Sequence, residues 1–130
     1  MDKLNSWAPR ALSVLRIVTG LLFVEHGAQK LLSFPPGQYA GAPIDLSPMG
    51  LSGAFELVGG VLILIGLFTR PVAFVLSGMM AVAYWMVHFP QDPYPVNNQG
   101  DAAILYCFVF LYLVFAGAGP ISVDAMMRKR

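Results

Sequence analysis

Four apolar runs of helical length, separated by clusters of proline and glycine or by a tight turn, decide what this chain can become. They extend over about 11–32, 51–68, 72–89 and 102–117. One helix of roughly 20 apolar residues crosses a ~30 Å hydrocarbon core. Four such spans with short connections therefore use almost all of the 130 residues. The reading is an all-α integral membrane four-helix bundle forming a single transmembrane domain, with no room for a second. The runs are continuous and lack period-two alternation, which excludes a membrane β-barrel. Composition agrees, because 12% charged residues is about half the share usual in soluble domains.

The first run follows Lys3 and Arg10 and has the outline of a signal peptide. It is long enough to span, Arg16 interrupts it early, and no small-x-small cleavage site precedes a mature soluble domain, so a retained helix is expected. Between the first and second runs stand Pro35, Pro36, Pro43 and Pro48 with Gly37, Gly41 and Gly50, which remove donors and favour turns. Thr69-Arg70-Pro71 makes a tight connection between the second and third runs. Pro90, Pro93 and Pro95 with Asn97, Asn98, Gln99 and Gly100 form the next loop, and Gly119-Pro120 stops the last run. No internal repeat is legible.

Charge orients the bundle. Lys3, Arg10, Arg16, Arg70, Arg128, Lys129 and Arg130 lie at the two ends of the chain and in the second connection, whereas the first and third loops hold no Lys or Arg. Both termini are therefore expected in the cytoplasm, with Lys30 alone departing from the positive-inside pattern. A net charge of +1 is too small for a nucleic-acid footprint. The single cysteine, Cys107, excludes an intrachain disulfide, a C-x-x-C pair and any thiolate cluster supplied by this chain.

With that topology, polar residues from four segments reach one depth at the outer end: Glu25, His26, Gln29 and Lys30 from the first helix, Glu56 from the second, His88 from the third, and Asp101 and Tyr106 from the fourth. An ionisable group at mid-bilayer costs roughly 2.5 to 3.5 kcal/mol on insertion scales, and less where a long side chain can snorkel. Lys30 and His88 are inexpensive there. Glu56 is not, since leucine, valine and glycine follow it, so it needs a partner or a proton. A packing network is the competing reading for Glu25, His26, Gln29 and Lys30. Interfacial placement competes for His88, and an aromatic belt for Tyr84, Trp85, Tyr94 and Tyr106. Cys107 reads as a small buried hydrophobe and Gly20, Gly27, Gly53, Gly59, Gly60 and Gly66 as close helix contacts. Arg16 and Arg70 read as topology anchors. Haem between His26 and His88 rests on two lone histidines and weighs little, and no residues have the close spacing of a metal motif.

Six strings run through the chain in order: Glu25-His26-Gly27-Ala28-Gln29-Lys30-Leu31, Phe55-Glu56-Leu57-Val58-Gly59-Gly60, Gly66-Leu67-Phe68-Thr69-Arg70-Pro71, His88-Phe89-Pro90, the segment 97–107 and Ala116-Gly117-Ala118-Gly119-Pro120-Ile121-Ser122-Val123-Asp124. On these strings the sequence resembles the DoxX family of small bacterial inner-membrane proteins. Asp101 stands where relatives often have Glu, which keeps the acid with a shorter reach. The resemblance implies a multi-pass protein of the bacterial inner membrane, an oxidoreductase component linked to quinones or thiols, and a soluble or membrane redox partner. The expected function is a redox-associated membrane subunit that binds a small polar or quinone-like molecule in an outward-facing polar cavity. His26 and Glu56 would exchange protons there, Lys30 would hold an anionic oxygen, and Glu25, His88, Asp101 and Tyr106 would line the ligand. The rival is an adaptor or assembly module without chemistry, self-associating as a homo-oligomer or recruiting a partner, whose polar cluster only fixes its helices. Four short helices leave a transporter little room for alternating access.

Overall fold

The computed structural model describes residues 1–129. A short α1 (Asp2–Asn5) precedes α2 (Ala8–Leu32), α3 (Pro48–Ile65), α4 (Thr69–Ala83), α5 (Pro95–Asn98), α6 (Asp101–Ala116) and α7 (Val123–Arg128), and α4 runs on as a π-helical turn over Tyr84–His88. Local chemistry sets most of these bounds. The second expected span starts earlier, at Pro48, because the Ser47 hydroxyl accepts from the Gly50 N–H at 3.2 Å and Pro48 has no N–H to satisfy. It ends at Ile65 because Gly66 takes a left-handed φ of 70°, closing the helix. By length and apolar content α2, α3 and Thr69–His88 can each cross a membrane, while α6 is a shorter apolar helix of 16 residues.

Inside and outside are exchanged relative to a soluble protein. The buried positions of α2 are Ser13, Arg16, Thr19, Gly20, Phe23 and Gly27, while Val14, Val18, Leu21 and Leu22 are exposed. The outer faces of α3, α4 and α6 likewise present Val58, Phe74, Val82, Leu105, Phe108 and Phe115. An apolar surface of this extent on every helix requires lipid around it.

The long helices associate as two antiparallel pairs, α2 with α3 and α4 with α6, joined by narrower contacts. In the first pair glycine permits backbone-to-backbone approach. A Cβ on Gly20 would meet the Leu64 N at 2.5 Å, and one on Gly60 would meet the Val24 N at 2.8 Å; Gly27 stands equally close to the Leu57 main chain. Lipid supplies no hydrophobic force between helices, so such close packing is a main source of association. Phe23, Ile63, Leu76, Met80, Phe110 and Leu113 fill the centre, with Phe23 edge-on to Phe110 at 5.0 Å.

One end of the bundle is sewn together by arginine and aspartate. The Arg16 guanidinium, 1% exposed, donates to the carbonyls of Ala118 and of Ile121 (2.7 Å). Arg70 donates to the last carbonyls of α6, Val114 at 2.9 Å and Phe115 at 2.6 Å. Asp124 accepts from the Phe68 and Thr69 N–H groups at 2.9 and 3.0 Å, supplying α4 with the cap its own sequence lacks. Arg16 and Arg70, expected as topology anchors, thus hold backbone acceptors, and Arg16 does so from the interior. The start of α2, the α3–α4 turn, the end of α6 and α7 consequently share one end.

Candidate functional site

The opposite end holds the polar cluster. Glu56 sits about two turns into α3 on the face that meets α2, because α3 packs through Gly53, Glu56 and Gly60. It is 5% exposed. Lys30, in the last turn of α2, reaches it: Nζ lies 2.8 Å from Glu56 Oε1 and 3.2 Å from the Ser52 Oγ. Ser52 precedes Glu56 by one helical turn, so the two present acceptors to the same ammonium. A lysine ammonium carries three hydrogens, and two are thereby used. The second carboxylate oxygen, Oε2, is buried without a hydrogen-bond partner among the described residues. A donor and an acceptor are thus left over on neighbouring side chains.

His26 lies one turn before Lys30 on α2, exposed, its Nδ1 2.8 Å from the Leu22 carbonyl. A carbonyl only accepts, so Nδ1 carries the hydrogen in this contact and a neutral ring keeps its lone pair on Nε2. Tyr106 packs against the edge of His26 at 6.1 Å between ring centres and continues into the core through Phe23 (5.2 Å) and Phe110 (6.0 Å). Glu25 is exposed beside His26, and both Glu25 and Glu56 lie within electrostatic range of the Tyr106 hydroxyl. Lys30, Glu56, His26, Tyr106 and Glu25 therefore form one neighbourhood built by α2, α3 and α6.

His88 belongs to a second group. Its Nδ1 lies 2.9 Å from the Asn98 carbonyl and its ring stacks on Tyr84 at 6.3 Å. Asn98 is fully buried, donating to the Tyr84 hydroxyl at 3.3 Å and the Asp92 carbonyl at 2.8 Å while accepting from the Gly100 N–H at 2.8 Å. This group shapes the loop between the π-helical turn and α6. Asp101 is exposed at the first position of α6, where a carboxylate suits the helix dipole, and has no side-chain partner among the described residues. No group of three or more His, Cys, Asp or Glu could hold a metal ion among the described residues.

Two cavities lie elsewhere, and none of the seven expected site residues lines either of them. One is an apolar groove of about 530 Å³ between α3 and α4, from Leu51 to Pro71. The other, of about 380 Å³, opens at the arginine-rich end. Sequence reasoning missed Ser52, whose i, i+4 spacing to Glu56 was the available signal. It also missed Asn98, whose role depends on how the loop folds back onto α4 and carries no local signature.

A family model described as DoxX matches residues 11–89. An uncharacterized Haemophilus influenzae protein is 40% identical over 134 residues, covering 100% of both chains. The inner membrane protein YphA of Escherichia coli is 31% identical over 127 residues, covering 89% of each chain. A Bacillus subtilis protein named "Putative oxidoreductase CatD" is 29% identical over 118 residues, 89% of this chain and 86% of that one. No solved structure matches the chain. With the family model spanning more than half of its length and several apolar helices exposed around its bundle, this is a multi-pass inner-membrane protein that belongs to the DoxX family.

Proposed function

We propose that the protein is the membrane subunit of a redox system and that the Lys30–Glu56 cluster binds the ring oxygen of a quinone-like molecule. The observation that carries this reading is the unmatched pair at one place: a Lys30 hydrogen beyond those given to Glu56 and Ser52, and a Glu56 Oε2 with no partner among the described residues. Buried polar atoms without partners are uncommon. A quinone carbonyl accepts from Lys30 and the corresponding quinol hydroxyl donates to Glu56, so both redox states are served by the same two side chains. Two electrons come from a partner protein and two protons accompany them. His26, exposed and with its lone pair on Nε2, exchanges protons, and the half-buried Tyr106, edge-on to His26 and backed by Phe23 and Phe110, supplies an aromatic face beside the ring. The name of the Bacillus subtilis relative supports the redox assignment at the level of class. Both termini are placed in the cytoplasm, since the arginine-rich end is the positive one.

A specific observation favours a second reading. The Lys30–Glu56 pair also clamps α2 to α3 beside the glycine contacts, as an adaptor that only needed fixed helices would require. Extraction of the protein purified in mild detergent, followed by mass analysis, separates the two. The redox reading expects a quinone close to one per chain; a protein free of small molecules but stable as a self-associated assembly supports the adaptor.

A further inference from the structure

The arginine-rich end contains a cavity that the redox reading does not use. It measures about 380 Å³ and lies where α4 starts and α6 ends, lined among others by Phe68, Thr69, Arg70, Asp124, Met127 and Arg128. That volume is at the small end of the range for small-molecule sites. We propose that this cavity binds the phosphate of an anionic phospholipid headgroup from the leaflet at this end of the bundle.

Charge and placement carry the assignment. Arg70 spends one nitrogen, Nη1, on the Val114 and Phe115 carbonyls. Its other guanidinium nitrogens lie across Gly117, where a Cβ would stand 3.1 Å from Nη2 and 3.5 Å from Nε, so the absence of a side chain there lets the guanidinium lie along the cavity wall. Arg128 is exposed and has no ion pair within 4.0 Å among the described residues. Asp124, the one acid on the wall, is committed to the first N–H groups of α4. Two guanidinium groups therefore face one engaged carboxylate, and the balance favours an anion. A guanidinium presents parallel donors that match phosphate oxygens. Phe68 and Met127, 58% and 54% exposed on the same wall, give the glycerol and first acyl carbons an apolar surface that a free anion would leave unused. The cavity also stands at the ends of the spans, the depth at which headgroups lie.

Native mass spectrometry of the full chain in detergent, with phosphatidylglycerol or phosphatidylcholine added at equal concentration, tests the proposal. Phosphatidylglycerol should be retained preferentially, Arg128→Gln should weaken its retention about fivefold, and a second loss of similar size should follow from adding Arg70→Gln. Arg128 holds no backbone group among the described residues, so its variant keeps the test valid where Arg70→Gln disturbs α6. Arg10→Gln removes one charge at the same end outside the cavity and should leave retention unchanged. Equal retention of the two lipids, an Arg10→Gln effect as large as that of Arg128→Gln, or displacement of the lipid by millimolar inorganic phosphate would each overturn the assignment.

Discussion

A guanidinium at 1% exposure inside a membrane bundle must find its acceptors within the chain, and Arg16 finds them in the carbonyls around Gly119-Pro120, which no helix satisfies. Arg16→Met should therefore leave those acceptors unpaired and lower stability by roughly 2 to 3 kcal/mol, the range for hydrogen bonds to charged groups. Thermal unfolding in detergent checks this beside Arg10→Gln, an exposed change expected to stay within about 0.5 kcal/mol. The sequence offered Arg16 as an interruption of an apolar run but not its partners, which lie more than 100 residues away. Glu56 was more legible. A carboxylate two turns into an apolar helix demands a partner; topology put both Lys30 and His26 at the same end, and only the structure selects Lys30.

At the scale of elements, the antiparallel contact of α2 with α3 depends on glycine where the main chains meet. Gly27→Ala would drive a methyl group into the Leu57 main chain and should destabilise by about 1 to 3 kcal/mol, as overpacking does. Gly78→Ala, on an open face of α4 with nothing within 4 Å, should be neutral or stabilising by up to about 1 kcal/mol. Melting temperatures of the two variants side by side make the comparison. The start of α4 depends instead on Asp124. Burial works to raise the pKa of this carboxyl, but hydrogen bonds from Thr69 and Phe68 and the charge of Arg128 outweigh it, leaving it below the usual carboxylate range. A group depressed in the folded state stabilises fully above its unfolded pKa of about 3.9 and loses that contribution as pH falls through the lower folded value. An Asn amide has one oxygen and can accept from only one of the two N–H groups, so wild type should exceed Asp124→Asn by about 1 kcal/mol at neutral pH, and the gap should close in unfolding measurements taken below about pH 4. The apolar runs gave away the long helices, while α1, α5 and the π-helical turn had no such signal because tertiary contacts and loop geometry shape them. The cap from Asp124 was equally hidden, since it is donated by a segment far along the chain.

For the whole molecule, two helix pairs joined through an aromatic centre leave one end rich in arginine and the other bearing the Lys30–Glu56 cluster. The proposed cytoplasmic placement of the first end, argued from its positive charge, predicts that reporter fusions at both termini are active only as cytoplasmic reporters. The polar depth shared by four segments was legible from topology, but its division was not. Lys30, Glu56, His26 and Tyr106 gather between α2, α3 and α6, whereas His88 turns to Asn98, because side-chain direction depends on helix rotation and on the π-helical turn. The leftover donor and acceptor of Lys30 and Glu56 are proposed to serve a ligand. Anaerobic isothermal titration of a water-soluble short-chain benzoquinol, whose hydroxyl can donate to Glu56, into the purified protein measures this directly, with Glu56→Gln and Glu56→Leu alongside. Wild type should bind the quinol saturably, and a folded Glu56→Gln variant, which has lost a charged hydrogen-bonding group, should bind it at least about tenfold more weakly. Equal affinity in wild type and Glu56→Gln, with only the melting temperature of Glu56→Leu reduced, would contradict the proposal and leave the cluster as a clamp between helices.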